Sequence, residues 1–269
     1  MNHKFPLKRF GQNYLRDENI IQKIISEISP QINDFIIEIG PGDGALTSKL
    51  LEKTEKLIAV EIDKRNIELL TTKFPRLNLI YGDFLKIDLK TLLNKYNKKL
   101  RIVGNIPYNI TSPIIFKMIE NKELVHDSVL MIQHEVAQRM TAKRGSKAYG
   151  ILSVILQYFA DVKLCFKVSP NVFYPRPKVY SAVVHIFLKE NLSNKPDDEI
   201  YIKIVKAAFG NRRKMLNNSL RNSIFGHINF NNAGIDLSLR AENLSIEDFI
   251  TLANFASGQI DNRHLRKSK

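Results

Sequence analysis

The chain has 269 residues, with 41 Lys and Arg against 27 Asp and Glu, so its formal net charge at pH 7 is +14. This excess predicts a polyanionic partner, with nucleic acid favoured over an anionic membrane surface. A single cysteine excludes an internal disulfide framework and a cysteine-rich zinc site. No apolar run approaches the roughly 18 residues of a membrane span, and the first ten residues lack the apolar stretch of a signal peptide. We therefore expect a cytoplasmic protein that uses no metal. Because no exposed apolar stripe in the sequence calls for a dimer, we also expect a monomer.

Short apolar segments alternate with helical patterns along the first 190 residues. Five isoleucines between positions 20 and 28 have the spacing of an amphipathic helix. The predicted strands that follow lie at 35–39, 57–60, 77–81, 101–104 and 128–132. This alternation predicts an α/β fold with a parallel, doubly wound sheet, in which ligands bind beyond the carboxyl ends of the strands.

The pattern changes after a β run at 179–187. Residues 190–199 are polar and contain a proline, as in a linker, and the pattern from 200 onwards is helical. We therefore predict two domains: a ligand-binding α/β domain over 1–190 and a small all-helical domain over 195–269.

A glycine-rich turn follows the first parallel strand. Residues 38–44 read Glu-Ile-Gly-Pro-Gly-Asp-Gly, and glycines in such a turn let the backbone approach a ligand closely. Glu61 lies at the end of the next strand, 21 residues after Gly40, where a carboxylate can bind both hydroxyls of a ribose. The turn also fits the dinucleotide fingerprint, so an NAD-dependent oxidoreductase is one alternative.

Two further acids favour a nucleoside cofactor without a pyrophosphate. Glu38 places negative charge where a pyrophosphate would be repelled and a sulfonium cation attracted. Asp83 ends the third strand with Phe84 behind it, which suits the amino group and the ring of an adenine. These residues favour a cationic adenine nucleoside over NAD.

Asn105-Ile106-Pro107-Tyr108 follows the fourth strand. With the glycine-rich turn, this motif resembles that of the adenine and cytosine amino-methyltransferases, which use S-adenosyl-L-methionine. The resemblance implies that the side-chain oxygen of Asn105 and the carbonyl after it, at Ile106 or Pro107, accept the hydrogens of an exocyclic amine. Pro107 would rigidify the turn, and Tyr108 would stack on the target base, an interaction worth about 1–3 kcal/mol. A structural strand-end turn with a buried tyrosine is the alternative.

Three further segments narrow the resemblance. Residues 9–15 (RFGQNYL), 133–139 (QHEVAQR) and 173–184 (FYPRPKVYSAVV) are similar to those of the ribosomal RNA adenine dimethyltransferases, over residues 8 to about 255. The fold implied is a Rossmann-like class I methyltransferase domain with a helical C-terminal domain. Phe173 would face Tyr108 across a flipped adenine, or would be a core aromatic. The cofactor contacts implied are Asn13, Leu15, Glu38, Gly40, Gly42, Glu61, Ile62, Asp83, Phe84 and Asn105.

Two branches share this chemistry, the small-subunit enzymes and the macrolide-resistance enzymes that act on large-subunit rRNA. Residues 208–220 (AFGNRRKMLNNSL) and 240–245 (RAENLS) resemble the small-subunit branch, although Gly210 and Asn211 depart from its usual sequence. The reaction implied is dimethylation of the exocyclic amines of two adjacent adenosines near the 3′ end of 16S rRNA in the small ribosomal subunit. An assembly factor that binds this subunit, with methylation secondary, is the alternative.

Basic residues in three stretches are candidate contacts for rRNA phosphates. The triplet 212–214 is expected on a helix. A second stretch consists of Arg139, Lys143, Arg144 and Lys147, and a third, near the start of the chain, of Lys4, Lys8 and Arg9. The RNA contacts predicted in the later stretches are Arg139, Arg144, Lys147, Arg212, Arg213, Lys214 and Arg221.

Overall fold

The structure, a computed structural model, describes residues 11–93, 98–190 and 196–267, the last seven of them without side chains. The basic stretch at Lys4, Lys8 and Arg9 lies outside the described residues. The described chain forms two compact units, one of residues 11–138 with 160–190 and the other of residues 139–159 with 196–267. Residues 139–159 therefore lie in the second unit, whereas the sequence predicts them in the first domain.

A seven-stranded sheet forms the centre of the first unit. Its strands, in spatial order, are β4 (Asn78–Tyr81), β3 (Leu57–Glu61), β2 (Phe35–Ile39), β5 (Leu100–Asn105), β6 (Val125–Gln133), β9 (Ser181–Leu188) and β7 (Ala160–Val168). The first five are parallel, as the sequence predicts, whereas β9 runs antiparallel between β6 and β7. The sheet is therefore mixed at one edge, and β7 is not among the strands that the sequence pattern predicts.

Helices cover this sheet, and α1 shows how the sequence builds them. The Asp17 side chain accepts a hydrogen bond from the Ile20 amide and so caps the first turn of α1. The isoleucines on one face of α1 are buried in a core cluster that includes residues of β2, β6 and β9. The helices of this unit are α1 (Glu18–Ile28), α2 (Ala45–Leu51), α3 (Lys64–Lys73), α4 (Leu89–Leu93), α5 (Thr111–Glu120) and α6 (His134–Met140), whose last two residues belong to the second unit.

A second, two-stranded sheet joins the start of the described chain to the segment before β9. In it, β1 (Tyr14–Leu15) pairs antiparallel with β8 (Phe173–Tyr174), so that Tyr14 lies opposite Tyr174 and Leu15 opposite Phe173. This pairing positions residues 11–15 over the carboxyl ends of the parallel strands, where they line a cavity.

The second unit contains helices and turns in its described residues. Its helices are α7 (Ile151–Phe159), α8 (Asp198–Phe209), α9 (Leu216–Arg221) and α10 (Ile246–Lys267). The rings of Tyr158 on α7 and Tyr201 on α8 stack with their centroids 3.9 Å apart, which explains why α7 belongs to this unit. No helix in the described chain is long and apolar enough to cross a membrane.

Candidate active site

A cavity of about 310 Å³ opens at the carboxyl ends of β2, β3, β4 and β5. Its walls come from the turns that follow these strands and from residues 11–15. All predicted cofactor contacts line it: Asn13, Leu15, Glu38, Gly40, Gly42, Glu61, Ile62, Asp83, Phe84 and Asn105. Ile106, Pro107 and Tyr108 line the same cavity. The fold thus brings two motifs that are about 65 residues apart in sequence into one site.

The turn after β2 needs glycine for two separate reasons. Gly40, Gly42 and Gly44 have φ values of 62°, 60° and 85°, a region that favours residues without a Cβ. A Cβ on Gly42 would also lie 2.9 Å from the ring of Tyr14, which lines the cavity. The ring of Tyr14 therefore packs directly against the turn.

The carboxylate of Glu61 is fixed by four hydrogen bonds. One oxygen accepts from the amides of Ile62 and Asp63, each at 2.8 Å. The other accepts from the Gly42 amide at 3.2 Å and from Nδ2 of Asn66 at 3.1 Å. Burial raises the pKa of Glu61, whose residue is only 4% exposed, and the hydrogen bonds oppose that rise. This rigid carboxylate can bind a vicinal diol.

Glu38 is a second buried carboxyl group, on β2. Its side chain accepts a hydrogen bond of 2.7 Å from the hydroxyl of Thr47. Burial raises the pKa of Glu38 to about 7, and the nearby charge of Glu61 contributes to the rise. A cation bound in the cavity would favour the ionised form of Glu38, and by linkage the ionised form would favour the cation.

The backbone of β5 fixes Asn105 in the cavity. A Cβ on Gly104 would lie 2.5 Å from the carbonyl oxygen of Ile39, so only glycine allows β5 to lie this close to β2. Nδ2 of Asn105 donates a hydrogen bond of 2.7 Å to the carbonyl of Asn13. Because the amide group is planar, this bond also fixes the direction of Oδ1, which can accept from a bound amine.

Tyr108 is held by a residue from a distant strand. Its hydroxyl lies 2.9 Å from the hydroxyl of Ser181, the first residue of β9. Burial raises the pKa of Tyr108, and the bond to Ser181 opposes that shift. The ring of Tyr108 lines the cavity directly after Pro107, whose φ is −55°. Tyr108 is therefore placed to contact a planar base.

Phe173 is placed differently. It is 5% exposed and packs in the core cluster with Leu15, its partner across the two-stranded sheet. It is not among the residues that line the cavity. In this conformation Phe173 is a core aromatic, and its role in clamping a base stays a prediction.

Comparisons with known proteins agree on a family. The family model described as "Ribosomal RNA adenine dimethylase" matches residues 4–257. The chain is 46% identical to a ribosomal RNA small subunit methyltransferase A of Chlorobium phaeobacteroides, with 91% of each chain covered. It is 42% identical to the protein of the same name in Francisella tularensis subsp. novicida, over 96% of this chain and all of the relative. The chain belongs to the ribosomal RNA adenine dimethylase family.

Solved structures confirm the α/β, Rossmann-like fold of this rRNA adenine dimethylase. A dimethyladenosine transferase from Plasmodium falciparum superposes with a TM-score of 0.75 at 28% identity, covering 88% of this chain and 95% of that one. The 23S rRNA methyltransferase ErmE superposes with a TM-score of 0.68 at 24% identity, covering 91% of this chain and all of the ErmE chain. At this identity the similarity supports only the fold. The family resemblance and the enzyme class predicted from the sequence are confirmed.

The predicted RNA contacts of the dimethylase all lie exposed in the second unit: Arg139, Arg144, Lys147, Arg212, Arg213, Lys214 and Arg221. Arg212 joins two of these stretches, because it donates to the Glu242 carboxylate at 2.9 Å and to the Lys147 carbonyl at 2.6 Å. The prediction of a helix at 212–214 was wrong. These residues form a turn between α8 and α9, since α8 ends at Phe209, directly before Gly210.

Three residues of the site were not assigned a role from the sequence: Tyr14, Asn66 and Ser181. The hydroxyl of Tyr14 donates a 3.4 Å hydrogen bond to Asn66, and Asn66 in turn bonds to Glu61. Tyr14 and Ser181 lie inside the family-like segments, which is the signal that could have identified them. No group of three or more acidic, His or Cys residues that could hold a metal ion occurs in the described chain.

Proposed function

We propose that this rRNA adenine dimethylase uses S-adenosylmethionine to dimethylate the exocyclic amines of two adjacent adenosines near the 3′ end of small-subunit rRNA. The observation that carries the proposal is one cavity that contains both the acidic residues suited to the cofactor and the Asn105–Tyr108 motif suited to an amine. The proposal includes action as a monomer in the cytoplasm.

The residues of the cavity fit this cofactor. Glu61 is placed to accept hydrogen bonds from ribose hydroxyls, and Asp83 from the amino group of an adenine. Glu38 adds negative charge that favours a cation. S-Adenosylmethionine supplies, when bound, a methyl group that is already activated by a positively charged sulfur.

The Asn105 side of the cavity accounts for the amine chemistry. The lone pair of an exocyclic amine is delocalised into the ring, so the amine is a weak nucleophile. Oδ1 of Asn105 and the carbonyl of Ile106 or Pro107 accept its hydrogens and orient its lone pair. The nitrogen gains one methyl group and loses one proton to water in each transfer. No strong general base is needed, and positioning can lower such a barrier by up to about 7–11 kcal/mol.

The small subunit is the favoured substrate because the matched relatives are named as small-subunit enzymes and cover almost the whole chain. The exposed basic residues of the second unit are suited to rRNA phosphates. A structured subunit surface would supply most of the selectivity, since double-helical RNA exposes little sequence information. The target adenine must leave its stack to enter the cavity.

The test is methyl transfer from labelled S-adenosylmethionine to under-methylated small subunits, with large subunits and free rRNA in parallel. Dimethyladenosine at two adjacent small-subunit positions is the expected result. Label on large-subunit rRNA would overturn the substrate assignment. Binding to small subunits without transfer would favour the assembly factor.

The cofactor site is tested separately with Glu61→Ala. Loss of hydrogen bonds to a charged group costs about 1.5–3 kcal/mol, so the affinity for S-adenosylmethionine should fall about 10- to 100-fold. Calorimetric titration measures it. Glu55→Ala, at an exposed position before β3, is the matched control and should bind as the wild type does. Equal affinities for the two variants would contradict the assignment of Glu61.

A further inference from the structure

An aromatic and basic surface lies beside the cavity and is not explained by cofactor or amine binding. We call it the Tyr180 platform, and it consists of Tyr174, Arg176, Lys178 and Tyr180 together with Lys167 at the end of β7. Tyr174 and Tyr180 are 51% and 49% exposed, and they are the first and last residues of a segment of seven. Two exposed tyrosine rings this close together in sequence are typical of a surface that binds a planar aromatic group.

The backbone connects the platform to Tyr108. The carbonyl of Tyr180 accepts a 3.0 Å hydrogen bond from the amide of His134, directly after β6. The next residue, Ser181, holds the Tyr108 hydroxyl. On the other side of the segment, Tyr174 lies opposite Tyr14, which lines the cavity. The platform is therefore attached at both ends to walls of the proposed base pocket.

Charge makes the platform suited to a polyanion. The ammonium group of Lys167 lies 3.8 Å from the centre of the Tyr180 ring, a cation–π contact that orients the ring. Arg176 and Lys178 are exposed on the same segment. Residues 162–189 contain no aspartate or glutamate. Pro175 and Pro177 fix φ at two positions, so little conformational entropy is lost when the segment binds a ligand.

We propose that the Tyr180 platform binds the nucleotide next to the target adenine, with its base stacked on the face of Tyr180 that Lys167 does not cover and its phosphates near Lys167, Arg176 and Lys178. The inference rests on the proposed function and extends it to the flanking nucleotide. When one of two adjacent adenosines is in the cavity, the platform holds the neighbouring nucleotide. Stacking accepts any base, so the same platform serves both rounds of methylation.

Steady-state methyl transfer to under-methylated small subunits tests the stacking. Tyr180→Leu should raise KM for the subunit about tenfold, which corresponds to about 1.4 kcal/mol and lies within the range for one stacked base. Tyr180→Phe keeps the ring and should restore KM to within about twofold of the wild type. Phe187→Leu is the matched control, because it makes the same kind of change at an exposed position near the other end of β9. Its KM should not change.

Salt dependence separates stacking from charge. Lys167→Met and Lys178→Gln should each reduce the slope of log affinity against log salt by about 0.7, the value for one phosphate contact on a single strand. Tyr180→Leu should lower the affinity for small subunits without changing this slope. Filter binding of the full-length variants to small subunits measures both quantities.

The outcomes distinguish this inference from the proposed function. If Tyr180→Leu has the same KM and the same affinity for small subunits as the wild type, the proposed role of the platform is wrong, whatever the wild type methylates. A wild type that binds small subunits without methylating them overturns the proposed function, and the binding series then decides the platform alone. Weaker binding of S-adenosylmethionine by Tyr180→Leu would also overturn the platform, because the change would then act on the cofactor site.

Discussion

Two clusters of buried and partly buried polar side chains lie towards opposite ends of the parallel strands of the large sheet, and they differ in how their charges are balanced. At the amino ends, Arg101 donates to Asp127 and to Asp34, with distances of 2.6 Å to each. His185 lies between Asp127 and Glu27, with its two ring nitrogens 2.9 and 3.0 Å from their carboxylates. Burial alone would raise the pKa of Asp127, but the hydrogen bonds from Arg101 and His185 lower it to about 2.

At the carboxyl ends, the buried carboxylates of Glu38 and Glu61 accept from neutral groups. These donors are the Thr47 hydroxyl, the Asn66 amide and backbone N–H groups. The pKa of Glu38 accordingly rises to about 7 instead of falling. One sheet thus balances its buried carboxylates with the cations of its own side chains at one end. At the other end neutral donors leave the pKa of Glu38 raised, and a cation bound there would favour the ionised form of Glu38.

The largest expected effect is on the paired cluster. Arg101→Met leaves Asp127 buried without its main cation, and breaking such a pair costs about 3–5 kcal/mol. Urea unfolding at pH 7 should show this loss in the free energy of unfolding. The affinity for S-adenosylmethionine should not change in the folded fraction, because Arg101 lies at the other end of the strands.

An exposed ion pair of the same unit provides the control. Lys99 and Glu190 lie 2.8 Å apart, but Glu190 is well exposed, and such pairs contribute about 0–1 kcal/mol. Lys99→Met should therefore have little effect. If Lys99→Met and Arg101→Met lowered the free energy of unfolding by similar amounts, burial of the ion pair would not determine its contribution to stability.

The site was more predictable from the sequence than the paired cluster, and chain distance explains why. Glu61, Asp83 and Asn105 each lie at the end of a strand or within two residues of it, so local pattern and parallel topology predict that they lie together. The cluster joins His185 to Glu27, 158 residues earlier, and β9 had to be assigned its antiparallel place first. Nothing local in the sequence marks these residues as partners.

In the fold, too, elements defined by local sequence patterns were predictable and elements defined by distant contacts were not. The five parallel strands could be recognised because each is a short apolar segment followed by a helical pattern. The β7 strand was not predicted, although its apolar residues alternate with exposed lysines at 163 and 167 as in a half-buried strand, because it follows the apolar helix α7 without a turn. The contacts of α7 with α8 are tertiary, so the composition of residues 139–159 did not reveal the unit to which they belong.

Asn105→Ala tests the cavity end. Loss of one preorganised hydrogen-bonding group at a reacting centre costs about 10²- to 10³-fold in kcat, and we expect a fall of this size in methyl transfer to small subunits. Because Asn105 is only partly buried and lies outside the paired cluster, the free energy of unfolding should change by less than about 1 kcal/mol. Asn78→Ala, at an exposed position of β4, is the control. Full methylation by Asn105→Ala would contradict the mechanism.

Glu38→Gln tests the difference between the two clusters through the pH dependence of stability. Because the folded-state pKa of Glu38 is raised from 4.5 to about 7, the folded state binds more protons, and stability is lost as the pH rises from 4.5 to 7. Asp127 has the opposite effect, since its lowered pKa adds stability as the pH rises from 2 to 3.8. Glu38→Gln keeps an acceptor for Thr47 and should be about 3 kcal/mol more stable than the wild type at pH 8. At pH 4 the two should be equal. Thermal or urea unfolding across this range measures the difference, and an unchanged pH profile would contradict the assignment.

The smallest effect is expected where the site depends on a distant strand. Ser181→Ala removes the hydroxyl that holds Tyr108, and a neutral hydrogen bond contributes about 0.5–1.5 kcal/mol, so kcat/KM should fall about 2- to 10-fold. Tyr108→Phe keeps the aromatic ring and removes the same bond from the other side. If the bond acts by orienting the ring, either single change already removes it. The variant that carries both changes should then have a kcat/KM no lower than that of the less active single variant. Fully additive losses would mean that the two hydroxyls act separately, and β9 would then have no part in positioning the base.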